Sequence, residues 1–269
     1  MATSNKSLAA TSPWLLDMIL LLDIGNTNTH VGLANARRVV AQTNIPTGEL
    51  LLGKAGKGIA RFLSEKKITG GAISSVVPRA TRPAVALIHD RWSVDPLVLT
   101  ANTVTRIGVS YPKPESIGPD RLANAAAARV HFGAPSVVVD FGTAVTFDVV
   151  DRKGNYIGGI IAPGLAAMTG YLHEKTALLP KIEIRETGAI VGKSTEEAML
   201  IGAVRGYRGL IRELITRLKA HLKARFLPVV ATGGYASLMA KGLPEITAVE
   251  PLLTLEGLRI VQSDREKQK

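Results

Sequence analysis

Cysteine is absent from the 269 residues, which excludes disulfides and thiolate-held metals and leaves no argument for an oxidising compartment. Aromatic residues make up only 4% of the chain, too few for the stacking platform that single-stranded nucleic acid needs. No apolar run approaches the length of a membrane-spanning helix. The opening residues, MATSNKSLAATSPWLLD, are broken by Pro13 and Asp17 where a secretory leader needs an unbroken apolar core. They read as a mobile N-terminal extension over residues 1–17, or as sequence upstream of a start at Met18. The expectation is a soluble, cytoplasmic protein with no membrane partner. The patterns GxGxxG, GxxxxGKS/T and GxSxG are also missing, so Rossmann, P-loop and nucleophile-elbow readings fail. His30, His89, His131, His173 and His221 show no metal-ligand spacing.

What is present is an excess of positive charge. A net charge of +11 and a sequence pI near 10.0 fit nucleic acid, anionic surfaces or small anions as partners. A solvated surface rich in Arg and Lys explains the same balance. No RNA-binding signature or helix-turn-helix accompanies it, so a nucleic-acid partner is not expected. Hydrophobic content of 46% with 20% charged residues is ordinary for a globular chain long enough for two cores.

The chain is organised around LLLDIGNTNTHVGLA, Leu20 to Ala34. Met18 to Leu22 is purely apolar and reads as a buried strand. Asp23 ends it, Gly25-Asn26-Thr27-Asn28 make a donor-rich turn, and Val31 and Leu33 belong to a returning strand. Such a turn brings backbone N–H groups to an anion, and the carboxylate can hold a cation beside it. It is equally the composition of an ordinary hairpin turn. A second copy separates the readings. Val137 to Val150, VVVDFGTAVTFDVV, repeats the apolar run, the Asp and the glycine. Laid over the first, it matches Asp23 to Asp140, Gly25 to Gly142 and Thr29 to Thr146. Two such units predict a duplicated α/β fold with two loops facing one nucleotide across a cleft.

Between and after these units the pattern predicts strands over 38–42, 71–77 and 96–99, and helices over 50–63 and 81–91. A long connection, Ala101 to Ile117, leads into an alanine-rich helix that opens Gly118-Pro119-Asp120-Arg121. An acidic residue suits a helix N-terminus, whereas Arg121 beside it is less expected and is a candidate substrate-carboxylate binder. Strands are predicted over 136–141, 144–150 and 155–161, and a helix opens after Ala162-Pro163-Gly164. Ser194-Thr195-x-Glu197 resembles a helix cap before a helical region reaching about Arg225. There Leu210, Leu214, Leu218 and Leu222 form a stripe, with Arg208, Arg212, Lys219 and Lys223 expected on a solvated basic face. Pro228 to Ala231 reads as a strand running into Thr232-Gly233-Gly234, a candidate adenosine contact. A closing helix, Leu252 to Val261, precedes a charged tail. The expected divisions are therefore an extension over 1–17, domains over 18–117 and 118–262, and a tail over 263–269.

DIGNTNT, SSVVP, GPDR, DFGTAVTFDVV, GGIIAPGL, TEEAM, ATGG and LTLEGLR, in this order from about Met18 to Gln262, together resemble type III pantothenate kinase. Each motif is weak alone; the ordered set is specific. The resemblance implies the acetate and sugar kinase/Hsp70/actin superfamily, with two RNase H-like domains and the nucleotide between them. It implies a homodimer that phosphorylates pantothenate with ATP and Mg²⁺, the first step of coenzyme A synthesis, and needs potassium or ammonium.

Carried over by motif, the resemblance makes Asp23, Ile24, Gly25, Asn26, Thr27, Asn28, Thr29 and His30 the first ATP loop, with Thr143 touching ATP from the second. Asp140 would hold the monovalent cation. Tyr111, Gly118, Pro119, Asp120, Arg121 and Thr195 would hold pantothenate, with Asp120 the general base. The family more often has Ala where this chain has Pro119, and Arg-Asn-Thr where it has Lys193-Ser194-Thr195. Neither departure removes a functional group. An accessory factor binding nucleic acid on the same fold, or a superfamily kinase for another hydroxyl substrate, remains the alternative.

Overall fold

Strand β1 (Met18–Ile24) is central in its sheet, antiparallel to β2 (Asn28–Ala34) on one side and parallel to β4 (Ile68–Ser75) on the other. Its side chains alternate between two cores, which explains its continuous apolar sequence. Leu20, Leu22 and Ile24 enter one with Ile59, Leu63, Ala84 and Ile88. Ile19 and Leu21 enter the other with Leu122, Ala126, Leu255 and Leu258. The computed structural model describes residues 17–64 and 66–267. The expected N-terminal extension lies outside these residues except for Asp17.

The first sheet has the order β3-β2-β1-β4-β5, with β3 at Val39–Pro46 and β5 at Leu97–Val98. The second repeats it as β9-β8-β7-β10-β11 and adds β6 (Gly108–Val109) at the β9 edge. Here β7 is Ser136–Phe141, β8 Ala144–Val150, β9 Asn155–Pro163, β10 Val229–Thr232 and β11 Ala248–Val249. Senses of pairing repeat as well. β7 runs antiparallel to β8 and parallel to β10, as β1 does to β2 and β4.

The helix predicted over 50–63 is two helices, α1 (Thr47–Leu51) and α2 (Ala55–Leu63). They are separated at Gly53, which takes the positive φ of +68° that glycine tolerates. Helix α3 (Pro78–Trp92) begins with Pro78 at its first position.

Helix α4 (Pro119–Phe132) and the C-terminal helix α9 (Leu253–Lys267) pack on each other between the sheets. Small side chains make this possible: Ala123, Ala125, Ala126, Ala127 and Ala128 are all fully buried. A Cβ on Gly257 would stand 2.1 Å from the Ala123 carbonyl oxygen, so α9 approaches α4 closely because Gly257 has no side chain. Glu256 accepts from the Val39 backbone N–H at 2.7 Å, and Arg259 donates to the Ala36 carbonyl at 2.8 Å. The last helix thus returns to the first sheet. It also runs further than expected. Residues 263–267 of the predicted tail are helical, with Ser263 and Asp264 buried. Asp264 is held there by a bidentate pair with Arg106, both contacts at 2.5 Å.

The long helical region after Ser194 is broken. Helix α6 (Thr195–Ile201) passes through one π-turn, Gly202–Gly206, into α7 (Tyr207–His221). The buried stripe on α7 is Tyr207, Ile211 and Ile215, while Leu210 is exposed. Arg208 is not on a solvated face either. It is buried, with Nη1 and Nη2 donating to the two Glu186 carboxylate oxygens at 2.9 and 2.7 Å. Helix α5 (Leu165–Lys175) precedes an irregular segment over 176–193, and the short α8 (Ala236–Ala240) follows β10. Among the described residues no helix is long and apolar enough to cross a membrane.

Candidate active site

The two hairpins open onto one cleft of about 590 Å³, lined by Asp23, Gly25, Asn26 and His30 from one side. Asp140, Gly142, Thr143 and Thr146 line it from the other, and Asp120 from α4. Both loops close by the same device, a glycine N–H donating back to the returning strand. Gly25 donates to the Asn28 carbonyl at 3.0 Å, and Gly142 to the Ala144 carbonyl at 3.1 Å.

The loops differ by one residue, and this corrects the overlay of Thr29 on Thr146. Asp23 pairs with His30 across the first hairpin, whereas Asp140 pairs with Thr146 across the second. Side chains alternate along a strand, so a one-residue shift changes the face. His30 and Thr146 are the equivalent pair and both line the cleft. Thr29 corresponds to Val145, and both are fully buried. The Thr29 hydroxyl lies 3.0 Å from that of Thr47, which donates to the Gly25 carbonyl at 2.7 Å. Thr29 therefore supports the loop from behind. Ile24 is likewise buried in the core, while Thr27 and Asn28 are exposed at the tip.

Three carboxylates share the cleft. Burial, then repulsion from Asp120, raises the Asp23 pKa to about 7; the Ser74 hydroxyl works against this and Asp140 adds to it. Asp140 is raised to about 6 by burial and by Asp120, while the Asn124 amide donates to it at 3.3 Å and lowers it. Thr254 donates to the Asn124 side-chain oxygen at 2.8 Å, which fixes the amide with its N–H groups towards Asp140. Gly233, at φ +87°, lies against the same aspartate: a Cβ there would stand 2.4 Å from Oδ1. Thr232, Gly233 and Gly234 line the cleft, so the third glycine turn belongs to this site.

Asp120 occupies the first turn of α4, after Gly118 and Pro119. Burial is the main cause raising its pKa, opposed by the Arg121 backbone N–H, which donates to Oδ1 at 2.9 Å, and by the Arg121 charge. A side chain on Gly118 would come within 2.5 Å of the same oxygen. Asn124, four residues on, is on the same helix face. Arg121 turns instead to Asp148 at 2.6 Å. Tyr111 meets the edge of Tyr156, ring centres 6.2 Å apart. Thr195 is not brought to the main cleft; it lines a second cavity of about 420 Å³ with Met168, Leu172 and Met199. Asn124 and Asp148 belong to no motif that singles them out in the sequence. Their signals were an asparagine inside an alanine run and an acid inside the apolar strand VTFDVV.

No cluster of three or more His, Asp or Glu among the described residues is arranged to hold a metal alone. The carboxylates of Asp23 and Asp140 are hard oxygen donors crowded by like charge, which suits a hard cation completed by phosphate and water oxygens.

Solved structures share the architecture of two α/β lobes. A conserved putative Baf family transcriptional activator from Campylobacter jejuni superposes with a TM-score of 0.57 at 18% identity, covering 92% of this chain and 99% of that one. An ethanolamine utilization protein EutJ from Carboxydothermus hydrogenoformans gives 0.51 at 17%, over 90% and 89%. At such identities they establish fold alone. Sequence relatives say more. The type III pantothenate kinase of Akkermansia muciniphila is 44% identical over 90% of this chain and 96% of its own. That of Roseiflexus castenholzii is 39% identical over 91% and 98%. The type III pantothenate kinase family model matches residues 19–217, a span that includes both hairpins and the start of α4; the chain belongs to the type III pantothenate kinase family.

Proposed function

We propose that the chain transfers the γ-phosphoryl group of ATP to the primary hydroxyl of pantothenate in the cleft between its lobes, with Asp120 as general base. The observation that carries this reading is that Asp120 lines the same cleft as both Asp-x-Gly hairpins. Phosphoryl transfer needs in-line placement and charge neutralisation more than covalent help. The loops at Gly25 and Gly142 offer backbone N–H groups and small side chains for close approach of phosphates. Thr143 and the Thr232–Gly234 turn extend the nucleotide side. On the acceptor side Asp120 takes the hydroxyl proton as oxygen attacks phosphorus, and ADP leaves with its bridging oxygen. Burial raises the basicity of Asp120, which favours that transfer near neutral pH.

Asp140 would hold potassium or ammonium, and Asp23 would face the magnesium of the nucleotide. Cations there supply charge neutralisation for the phosphates. Arg121, Gly118, Pro119 and Tyr111 would contact pantothenate, and Thr195 would do so from the second cavity. Pro119 pre-sets the first helical residue, so it stiffens the turn that carries Asp120. Leu178, Ile190 and Val191 on segment 176–193 are 89%, 71% and 75% exposed, apolar surface that a second copy in a homodimer would cover.

A coupled ADP-release assay over a panel of hydroxyl acceptors, with and without potassium, tests the reading. Pantothenate should be the preferred acceptor. Asp120→Asn should lower kcat by about 10²–10⁴-fold while nucleotide affinity, read by calorimetry, stays within a few-fold. Near-normal turnover in that variant overturns the base assignment. Turnover with another acceptor but not pantothenate overturns the substrate.

A further inference from the structure

Arg121 is gripped on several sides by residues outside the motif it belongs to. Its Nε donates to Asp148 Oδ1 at 2.6 Å, and Nη2 donates to the Phe147 carbonyl at 2.9 Å. The guanidinium carbon stands 5.8 Å from the centre of the Tyr156 ring. The Tyr156 hydroxyl reaches the same Asp148 oxygen at 3.4 Å. A Cβ on Gly159 would fall 2.5 Å from Nη2, so the strand leaves room for the guanidinium there. No acceptor among the described residues takes Nη1.

Stability alone explains this arrangement poorly. Asp148 is fully buried in β8, between Phe147 and Val149, and its Oδ2 has no hydrogen-bond partner among the described residues. A buried ion pair loses much of its Coulomb gain to desolvation, and well-packed apolar residues often serve a fold as well. Nor does Arg121 gain from its helix, since a cation in the first turn faces the positive end of the dipole. What the pair does accomplish is to hold a long, otherwise mobile side chain in one rotamer beside Asp120. Such fixing removes the ordering cost that binding would otherwise carry.

We propose that Asp148, with Tyr156 and the Phe147 carbonyl, positions Arg121 so that its free Nη1 edge meets the phosphoryl acceptor. The inference rests on the reading of Arg121 as an acceptor contact. Asp148 touches no reacting atom; it acts through Arg121. Burial raises the Asp148 pKa to about 7 and the Arg121 charge opposes the rise, so Arg121 favours the ionised form of its partner.

The test combines kinetics with a signal that needs no substrate. In the wild-type protein one arginine Nε–H resonance, assigned by its loss in Arg121→Lys, should resist exchange with water at pH 7.5, and it should vanish in Asp148→Asn. In kinetics, Asp148→Asn should raise the pantothenate KM about tenfold or more with the ATP KM within twofold. The double variant with Arg121→Lys should be no worse than Arg121→Lys alone, because both remove one interaction. Tyr156→Phe, a milder change, should raise the pantothenate KM severalfold. If Asp148→Asn does not fold, the wild-type resonance and Tyr156→Phe decide the matter. An unprotected Arg121 Nε–H, an unchanged pantothenate KM in folded Asp148→Asn or in Tyr156→Phe, or full additivity overturns the proposal. A wild-type protein that shows the resonance but does not phosphorylate pantothenate overturns the functional reading and leaves the positioning of Arg121 standing.

Discussion

His30 and Thr146 occupy one position twice, His30 opposite Asp23 in the first hairpin and Thr146 opposite Asp140 in the second. Both face the cleft, and Thr29, one residue earlier than His30, faces away. The two threonines should therefore fail in different ways. Thr29→Val removes the hydroxyl contact to Thr47, whose own hydrogen bond to the Gly25 carbonyl remains, so it should cost about 0.5–1.5 kcal/mol of stability with the ATP KM nearly unchanged. Thr146→Val should raise the ATP KM with little effect on unfolding. Denaturant titrations and steady-state kinetics on both variants check the contrast; an ATP defect confined to Thr29→Val would reverse the assignment.

Asn124 links the C-terminal helix to the second loop, accepting from Thr254 and donating to Asp140. Asn124→Ala removes the hydrogen bond that steadies the Asp140 carboxylate and takes the acceptor from the half-buried Thr254 hydroxyl. Stability should fall by about 1–3 kcal/mol. If Asp140 holds a monovalent cation, the half-saturating potassium concentration should rise as well, while the pantothenate KM stays near normal. Activity measured across a potassium titration reads the second effect separately from the first.

Asp23, Asp140 and Asp148 are raised to about 7, 6 and 7 from a usual value near 3.8. Between those limits the folded protein binds more protons than the unfolded chain, so its stability falls as pH rises. Without ligands, Tm should therefore be higher near pH 5.5 than near pH 8. The opposite trend should appear only towards acid, where Asp264 and Glu186, held below their ordinary values by Arg106 and Arg208, become protonated. Asp23→Asn should flatten the neutral limb. Calorimetric scans across pH in ligand-free buffer test the sign. Activity should run the other way and drop on acidification, because Asp120 must be ionised to accept a proton.

Much of this site could be read from the chain because its signals are local. A strand buried on both faces is a continuous apolar run, so β1 and β7 stand out, and their terminal aspartates and glycines with them. The duplication makes the topology legible without knowledge of any long-range contact. What was hidden depends on contacts distant in the chain or on a count of one. The loops after Gly25 and Gly142 differ by one residue, which turns Thr29 inward although an ungapped overlay aligns it with Thr146. Arg208 looks solvent-facing by periodicity because its partner Glu186 lies in a segment without regular structure. The partnership of Arg121 with Asp148 joins a helix to a strand 27 residues on, and nothing in either motif announces it. The C-terminal helix continues through Asp264 because Arg106 and Thr105 neutralise and bind its carboxylate, a partnership the charged composition of the tail conceals.

The seam between α4 and α9 is closed at a glycine. Asp120 and Asn124 ride on α4, and α9 holds that helix between the two sheets. At Gly257 the contact leaves no space: an added Cβ would stand 2.1 Å from the Ala123 carbonyl oxygen and 2.8 Å from the Ala123 Cα. The obstruction is backbone, so a rotamer change cannot relieve it and one helix must shift. Gly257→Ala should improve intrinsic helix propensity yet destabilise the protein by about 1–3 kcal/mol or more, since overpacking outweighs the propensity gain. The displaced α4 should also move Asp120, so kcat should fall along with Tm. Gly209→Ala on α7, where an added Cβ meets nothing within 4 Å, provides the control and should be neutral or slightly stabilising. If the two substitutions shift Tm alike, close packing at Ala123 is not what holds α4 in place.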